Sequence, residues 1–442
     1  MMAGHRVDPA GGPLRGELRP PGDKSIAQRA LILAAMADGG TLIENLPDSD
    51  DVLSARRAIA DLGAETRVEE SPGGVSRVTV SGVGLAGAED AGLDVGNSGT
   101  LMRMLPGWLA GQHGGHWRLD GDASIRRRPI DRIVEPLGMM GAQLEGAEGD
   151  VYPPLKIDGV PLRGIAYTLP VPSAQVKSCL LLAGLLAAGS TTVIERLPSR
   201  DHTERMLIDA GATVDIADNG AEGRRRVTVE RAERIALEQL TIPGDFSAAA
   251  FFVVAATIVP GSELRLRGVG LNPTRTGLLA ILERMGGDIE VAGEWHAGSE
   301  PIGELVVRSA ALTGAEVARA EVPLAIDELP LVALIGCFAE GETVVHGAGE
   351  LRHKESDRIA GVVEGLRGLG AEIEALPDGF AVTGTGGLRG GDIDPRGDHR
   401  LAMLGAIAGL ASREGVGIGD LDVAAVSYPG FAAALDSLAG AC

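Results

Sequence analysis

Six times along this chain an apolar, helix-like run ends at a glycine and a β-rich run follows. The glycines are Gly39, Gly114, Gly189, Gly261, Gly341 and Gly415, spaced 75, 75, 72, 80 and 74 residues apart. The preceding runs look alike, as in Ala30-Leu31-Ile32-Leu33-Ala34-Ala35 and Phe251-Phe252-Val253-Val254-Ala255-Ala256. Glycine past a helix end adopts the left-handed cap conformation at no steric cost. A second echo runs half a unit out of phase: amphipathic patterns end at Gly63, Gly141, Gly211, Gly286 and Gly370, and alternating strand patterns follow. Each unit therefore reads as helix, strand, helix, strand, strand. Solenoid repeats are usually about 20–50 residues, so units this long are expected to close into small domains of three.

Pro21-Gly22-Asp23 recurs 222 residues later as Pro243-Gly244-Asp245, three units on, and each tripeptide precedes a buried-type helix. The two points divide the chain into a domain of residues 23–243 and a discontinuous one of residues 1–22 plus 244–442. In the second, the N-terminal segment supplies the strand that the last unit lacks. A chain of 442 residues is too long for one core and comfortable for two. The class is α/β.

Composition narrows the setting. A net charge of −21 with only 12 aromatic residues excludes a nucleic-acid surface. Cys179, Cys337 and Cys442 form neither a disulfide framework nor a zinc spacing, and the histidines form no ligand cluster, so neither metal nor cofactor is expected. The stretch Gly82–Gly87 matches the dinucleotide glycine pattern, but no apolar helix follows it, which argues against NAD. The longest apolar run, Ala248–Val259, is too short to cross a bilayer, and Met1–Gly16 lacks the apolar core of a secretory signal. We expect a cytoplasmic monomer.

An acidic chain has no general reason to cluster bases, yet four clusters fall near helix starts: Lys24-Ser25 with Arg29, Arg126-Arg127-Arg128-Pro129, Lys354-Glu355-Ser356-Asp357-Arg358, and Asp398-His399-Arg400. Helix N-termini already favour anions, so cations there cost stability unless an anion is present. Any one of these bases reads as an ordinary surface charge, and Arg126 and Arg127 do so individually. All four at repeated points of one architecture indicate a site for a multiply charged small anion, which arginine grips with two bonds. Gly96-Asn97-Ser98-Gly99-Thr100 lets backbone amides approach such a ligand but lacks the lysine of a nucleotide loop. Ser173-Ala174-Gln175 offers a hydroxyl and an amide at a helix start, where Ser173 reads equally as a simple cap. Asp327 precedes an apolar helix and reads either as a cap or as a base toward a substrate hydroxyl. Glu355 lies between Lys354 and Arg358.

These stretches, with Ser199-Arg200-Asp201-His202-Thr203-Glu204 and Ser427-Tyr428-Pro429, resemble in order the motifs of the 5-enolpyruvylshikimate-3-phosphate synthase family. The resemblance spans nearly the whole chain. It implies two domains, each of three βαβαββ units, and transfer of the enolpyruvyl group of phosphoenolpyruvate to the 5-hydroxyl of shikimate 3-phosphate with release of phosphate. It further implies that Lys24, Ser25, Arg29, Ser173, Ala174, Gln175, Ser199, Asp327 and Lys354 meet shikimate 3-phosphate. Lys24, Gly99, Arg128, Gln175, Arg358 and Arg400 would meet phosphoenolpyruvate. Asp327 would be the base, with Glu355 and Lys24 handling the C3 proton and the departing phosphate. Sensitivity to glyphosate is implied as well.

The chain departs from the family pattern at Ala27, Gln28, His353 and Val426. The alternatives are a related transferase acting on another cyclic alcohol or a UDP-sugar, and a catalytically inactive anion-binding regulator. The intact Lys24, Asp327 and Glu355 argue against the last.

Overall fold

A computed structural model of the chain describes residues 5–70, 76–219 and 224–439; Cys442 lies outside them. Two compact units emerge, Gly22–Ile242 with Ala297–Glu300, and Met1–Pro21 with Pro243–His296 and Pro301–Cys442. The sequence reading kept all of residues 244–442 in one domain. Four residues of that stretch join the other unit because Ser299 and Glu300 bond to the helix His202–Asp209, Ser299 through Arg205 and Asp209 and Glu300 through His202.

Within each unit the repeat is a small sheet flanked by helices. In the second repeat Ala91–Asp94 runs parallel to His116–Asp120, and Tyr152–Asp158 pairs antiparallel with both His116–Asp120 and Gln143–Gly146. Numbered along the repeat, the strand order is therefore first, second, fourth, third. The same order holds for the third repeat (Ala166–Thr168, Thr191–Glu195, Val214–Asn219, Arg224–Val229) and the fifth (Glu316–Val317, Glu342–Val345, Glu372–Leu376, Gly379–Thr383). The first and fourth repeats borrow their first strands from a distance. Gln239–Thr241 lies parallel to Gly40–Leu46, and Arg15–Leu18 lies parallel to Glu263–Gly270. His5–Val7 joins Val416–Ile418 antiparallel, which completes the sixth sheet with three strands among the described residues.

The first helix of each repeat is mostly buried and rich in apolar residues after its polar start. All thirteen residues of Phe246–Ile258 are buried. One unit packs it against Leu329–Gly336 and His399–Ala411, and in the other Gly99–Leu109 packs on Lys24–Met36 and Ala174–Leu186. Gly107 permits the last contact, because a β-carbon there would lie 2.1 Å from the carbonyl oxygen of Cys179.

The eleven repeat glycines all have positive φ, from 73° to 100°. Their jobs differ from the simple reading. Gly63, Gly141, Gly211, Gly286 and Gly370 sit at helix caps, with bonds such as Gly63 N–H to Ala60 and Ala64 N–H to Ile59 closing the last turn. Gly39, by contrast, lies beyond the extended C-cap Ala37 of Lys24–Met36 and turns the chain into the strand Gly40–Leu46. The set spaced at about 75 residues marks helix-to-strand turns, and the out-of-phase set marks true helix caps. Among the described residues, no helix is long and apolar enough to cross a membrane, and no three metal-ligating side chains gather.

Candidate active site

Each unit collects its sequence-marked residues at helix starts, with different chemistry. In the unit containing residue 327, the helix Leu329–Gly336 begins after Glu328, with Pro330 in its first turn. Asp327 does not cap this helix. Its carboxylate instead faces four cations: Arg275 at 3.3 Å, Arg358 at 3.3 Å, Lys354 at 3.6 Å and Arg400 at 3.8 Å. Neighbours of this kind favour the charged form of a carboxylate. Arg400 also donates to the Asp327 carbonyl at 3.1 Å and lies 3.6 Å from Glu328, whose carboxylate accepts from the Ser247 hydroxyl.

Arg358 opens the helix Arg358–Gly368 behind the N-cap Asp357, which places Lys354 and Glu355 in the loop ahead of it. Arg358 is 1 % exposed. It donates to Asp398 at 2.8 and 3.3 Å, to Glu355 at 2.5 Å and to Asp327 at 3.3 Å. Burial alone would lower the affinity of its guanidinium for a proton, but Asp398, Glu355 and Asp327 outweigh that and raise it. Burial likewise pushes the Asp398 carboxyl up; the charge and hydrogen bond of Arg358, with the help of His399, together reverse this, and the net direction is down. Asp398 also caps the helix His399–Ala411 by accepting from the Arg400 N–H at 2.9 Å.

In the other unit, Asp23 caps Lys24–Met36, and Lys24 pairs with Asp51 at 2.9 Å. Arg29, 1 % exposed, is wrapped by neutral oxygens: Ser25 Oγ at 2.7 Å, Ser25 O at 3.0 Å, Thr203 Oγ1 at 3.0 Å and Ser178 Oγ at 3.3 Å. Ser98 caps Gly99–Leu109 and accepts from the Gln28 amide at 2.9 Å. The departure at Gln28 thus ties the first helix to the second anion loop. Arg128 donates to Asn97 and Ser124, each at 3.1 Å, and Arg103 donates to the carbonyls of Gly99 and Pro129, each at 3.2 Å. Gln175 donates to Thr100 at 3.1 Å, beside Ser173 and Ala174 at the start of Ala174–Leu186. Ser199, buried, bonds Glu195 through both its hydroxyl and its N–H.

Two placements differ from a binding role. Arg126 turns to Asp120 with two bonds of 2.9 Å on an exposed surface. In the last motif, Tyr428 stacks edge-on against Phe252 and Phe431, with ring centroids 5.9 and 5.5 Å away, and burial pushes its hydroxyl up to about 12. That motif builds core.

Sequence reasoning missed Arg275, Arg103 and Glu328. The repeat itself carries a signal for Arg275. Arg128, Ser199 and Lys354 each lie just ahead of the second helix of their repeats, and Arg275 holds the same place before Gly277–Arg284.

The sixfold build with polar helix starts is that of the enolpyruvyl transferases. The fold superposes on the enolpyruvyl transferase NikO from Streptomyces tendae with a TM-score of 0.76 at 19 % identity, covering 98 % of this chain and 96 % of that one. The model of the EPSP synthase family (3-phosphoshikimate 1-carboxyvinyltransferase) matches residues 9–435. A 3-phosphoshikimate 1-carboxyvinyltransferase from Thermus thermophilus is 49 % identical over 97 % of both chains, and one from a Synechococcus species is 46 % identical over 96 % of this chain and 95 % of that one. EPSP synthase from Acinetobacter baumannii superposes with a TM-score of 0.85 at 39 % identity, covering 98 % and 97 % of the two chains. The chain belongs to the EPSP synthase family and is an enolpyruvyl transferase of the shikimate pathway.

Proposed function

We propose the following division of labour in the transfer of enolpyruvate from phosphoenolpyruvate to the 5-hydroxyl of shikimate 3-phosphate. Lys24, Ser25, Arg29, Ser173, Ala174, Gln175, Ser199, Asp327 and Lys354 serve shikimate 3-phosphate. Lys24, Gly99, Arg128, Gln175, Arg358 and Arg400 serve phosphoenolpyruvate. Each phosphate carries about −1.5 to −2 and each substrate adds a carboxylate, so the two bring roughly five to six negative charges. Lys24, Arg29, Arg128, Lys354, Arg358 and Arg400 answer them.

The observation that carries this reading is the ring of four cations around Asp327. A carboxylate so surrounded is a poor base until its neighbours find other anions. Arriving phosphate and carboxylate groups draw Lys354 and Arg400 away, and Asp327 can then take the proton of the 5-hydroxyl as it attacks C2. Glu355 and Lys24 deliver the C3 proton; once the tetrahedral intermediate has formed they take a proton back from C3 and protonate the leaving phosphate, which restores the double bond. The protein acts as a cytoplasmic monomer.

Two measurements test this. Phosphate release from phosphoenolpyruvate should require shikimate 3-phosphate; release without it would overturn the acceptor assignment. Solvent deuterium should enter C3 of phosphoenolpyruvate during turnover, and Glu355→Gln or Lys24→Met should abolish it. Exchange at the parent rate in both variants would remove both residues from that step.

A further inference from the structure

The buried charges Lys177, Glu195 and Glu204 take no part in the reaction as divided above. Lys177 lies in the first turn of Ala174–Leu186, two residues after Gln175. Glu195 ends the strand Thr191–Glu195, and Glu204 lies in the first turn of His202–Asp209. All three side chains have no solvent exposure. The Lys177 ammonium donates to Glu195 Oε2 at 2.9 Å and to the Ser199 carbonyl at 3.3 Å, and it forms an ion pair with Glu204 Oε1 at 2.7 Å. A buried group of this kind is weak evidence for stability, since apolar side chains of similar volume commonly serve as well. An apolar trio could not hold Ser199.

Ser199 has two donors, its N–H and its hydroxyl. Both go to the same oxygen, Glu195 Oε1. An ionised phosphate oxygen only accepts hydrogen bonds. Ser199 can therefore donate to a phosphate only after letting go of Glu195. The opposite oxygen of Glu195 already rests on Lys177, so the carboxylate that Ser199 leaves behind keeps its counter-charge. Without that cation, release would leave a buried carboxylate uncompensated, which is strongly unfavourable.

We propose that Glu195 and Lys177 are positioning residues that keep both donors of Ser199 occupied until a phosphate displaces Glu195, and that this competition sets the affinity for the phosphorylated acceptor. The proposal rests on Ser199 as a shikimate 3-phosphate contact. It places the control of acceptor affinity one residue behind the binding surface.

The test is a double-mutant cycle of Glu195→Gln and Ser199→Ala, read as Michaelis constants for both substrates, kcat and the unfolding midpoint. Glu195→Gln keeps the shape and leaves Lys177 paired one-to-one with Glu204, so the variant should fold. A neutral amide accepts less strongly than a carboxylate, so the constant for shikimate 3-phosphate should fall by about 3–10-fold. The constant for phosphoenolpyruvate and kcat should stay within about twofold. With Ser199→Ala present only the backbone N–H still competes, so the same change should lower the shikimate 3-phosphate constant by clearly less. An equal change in both backgrounds, a higher constant for shikimate 3-phosphate, or none in the Ser199 background would overturn the proposal. A Ser199→Ala protein with the parent constant for shikimate 3-phosphate would instead show that Ser199 does not touch the acceptor, and the proposal would fall with that assignment.

Discussion

The two units start equivalent helices with different residues. In the unit containing residues 22–242 the first helices of the three repeats follow Asp23, Ser98 and Ser173; in the other they follow Asp245, Glu328 and Asp398. The second set is wholly acidic, and its cations are bound to acids: Arg358 to Asp398, Arg400 to Glu328 and Asp327, Arg275 to Asp245 and Asp327. In the first set Arg29, Arg103 and Arg128 are held by hydroxyls, amides and carbonyls. A cation that gives up a neutral acceptor leaves no charge behind, whereas one that gives up a carboxylate leaves that carboxylate to be compensated. The first unit also has a carboxylate pair, Lys24 with Asp51 at 2.9 Å, so the contrast lies in these arginines and not in every cation. The same helix position in one repeated architecture supports both arrangements.

Asp327→Asn strikes the acid-bound cations at their centre and should have the largest effect. The amide keeps the shape and releases the four cations, so both substrates should still bind. Turnover should fall by roughly 10²–10⁴, the usual range for losing a general base. Michaelis constants at or below the parent values together with that fall would confirm partner exchange. Turnover above half that of the parent would remove Asp327 from the mechanism.

Asp398 tests whether the acidic unit depends on its ion pairs to fold. Its folded value lies below the ordinary 3.8 because Arg358, with the help of His399, outweighs burial. That stabilisation is complete above the ordinary aspartate value and is lost as pH falls through the depressed one. Asp398→Asn removes one buried partner of Arg358 and should cost about 3 kcal/mol. The mutational loss should shrink steadily as denaturation is measured below pH 4. A loss independent of pH across that window would mean that Asp398 acts through packing and capping alone.

What the sequence revealed and what it hid divides along the same line. Repeat glycines, apolar helices and the cap Ser173 were legible because each depends on neighbours within a few residues, whereas Asp23 and Ser98 were read as parts of motifs and prove to be caps as well. Asp327 was visible as a candidate but its surroundings were not: Arg275 stands 52 residues before it and Arg400 73 after. Arg29 read as a cation ready for ligand, whereas Thr203, 174 residues away, helps to enclose it. Lys177 sits in a run that reads as pure core, and only the fold brings Glu195 and Glu204 to it.

Gly99→Ala probes the arginines of the first unit. A β-carbon at Gly99 would lie 2.9 Å from Arg103 and 3.2 Å from Arg128, at the mobile ends of both side chains. Glyphosate is expected to compete with phosphoenolpyruvate and is the longer molecule, so it should bear most of the crowding, which is typically about 1–3 kcal/mol. Its inhibition constant should rise by about tenfold or more. Because Arg128 must also shift, the Michaelis constant for phosphoenolpyruvate should rise, though by less. Equal losses for both would show that the methyl acts only through the two arginines and that Gly99 does not sense ligand length.

Arg126→Ala should have the smallest effect and marks where the comparison stops. Arg126 is as basic as Arg128 and only two residues before it, and a neighbouring cation could steer anions without touching them. Its partner, however, is Asp120, reached by two bonds on an exposed face, and the pairing raises the guanidinium's own proton affinity and lowers that of Asp120. Exposed pairs of this kind contribute little to stability, and at physiological salt their field fades within about 8 Å. Both Michaelis constants and the unfolding midpoint should match the parent at physiological salt. At low salt the Michaelis constant for phosphoenolpyruvate should still not move, because the field of Asp120 largely cancels that of Arg126. A rise that appears only at low salt would show that Arg126 contributes charge that Asp120 does not cancel.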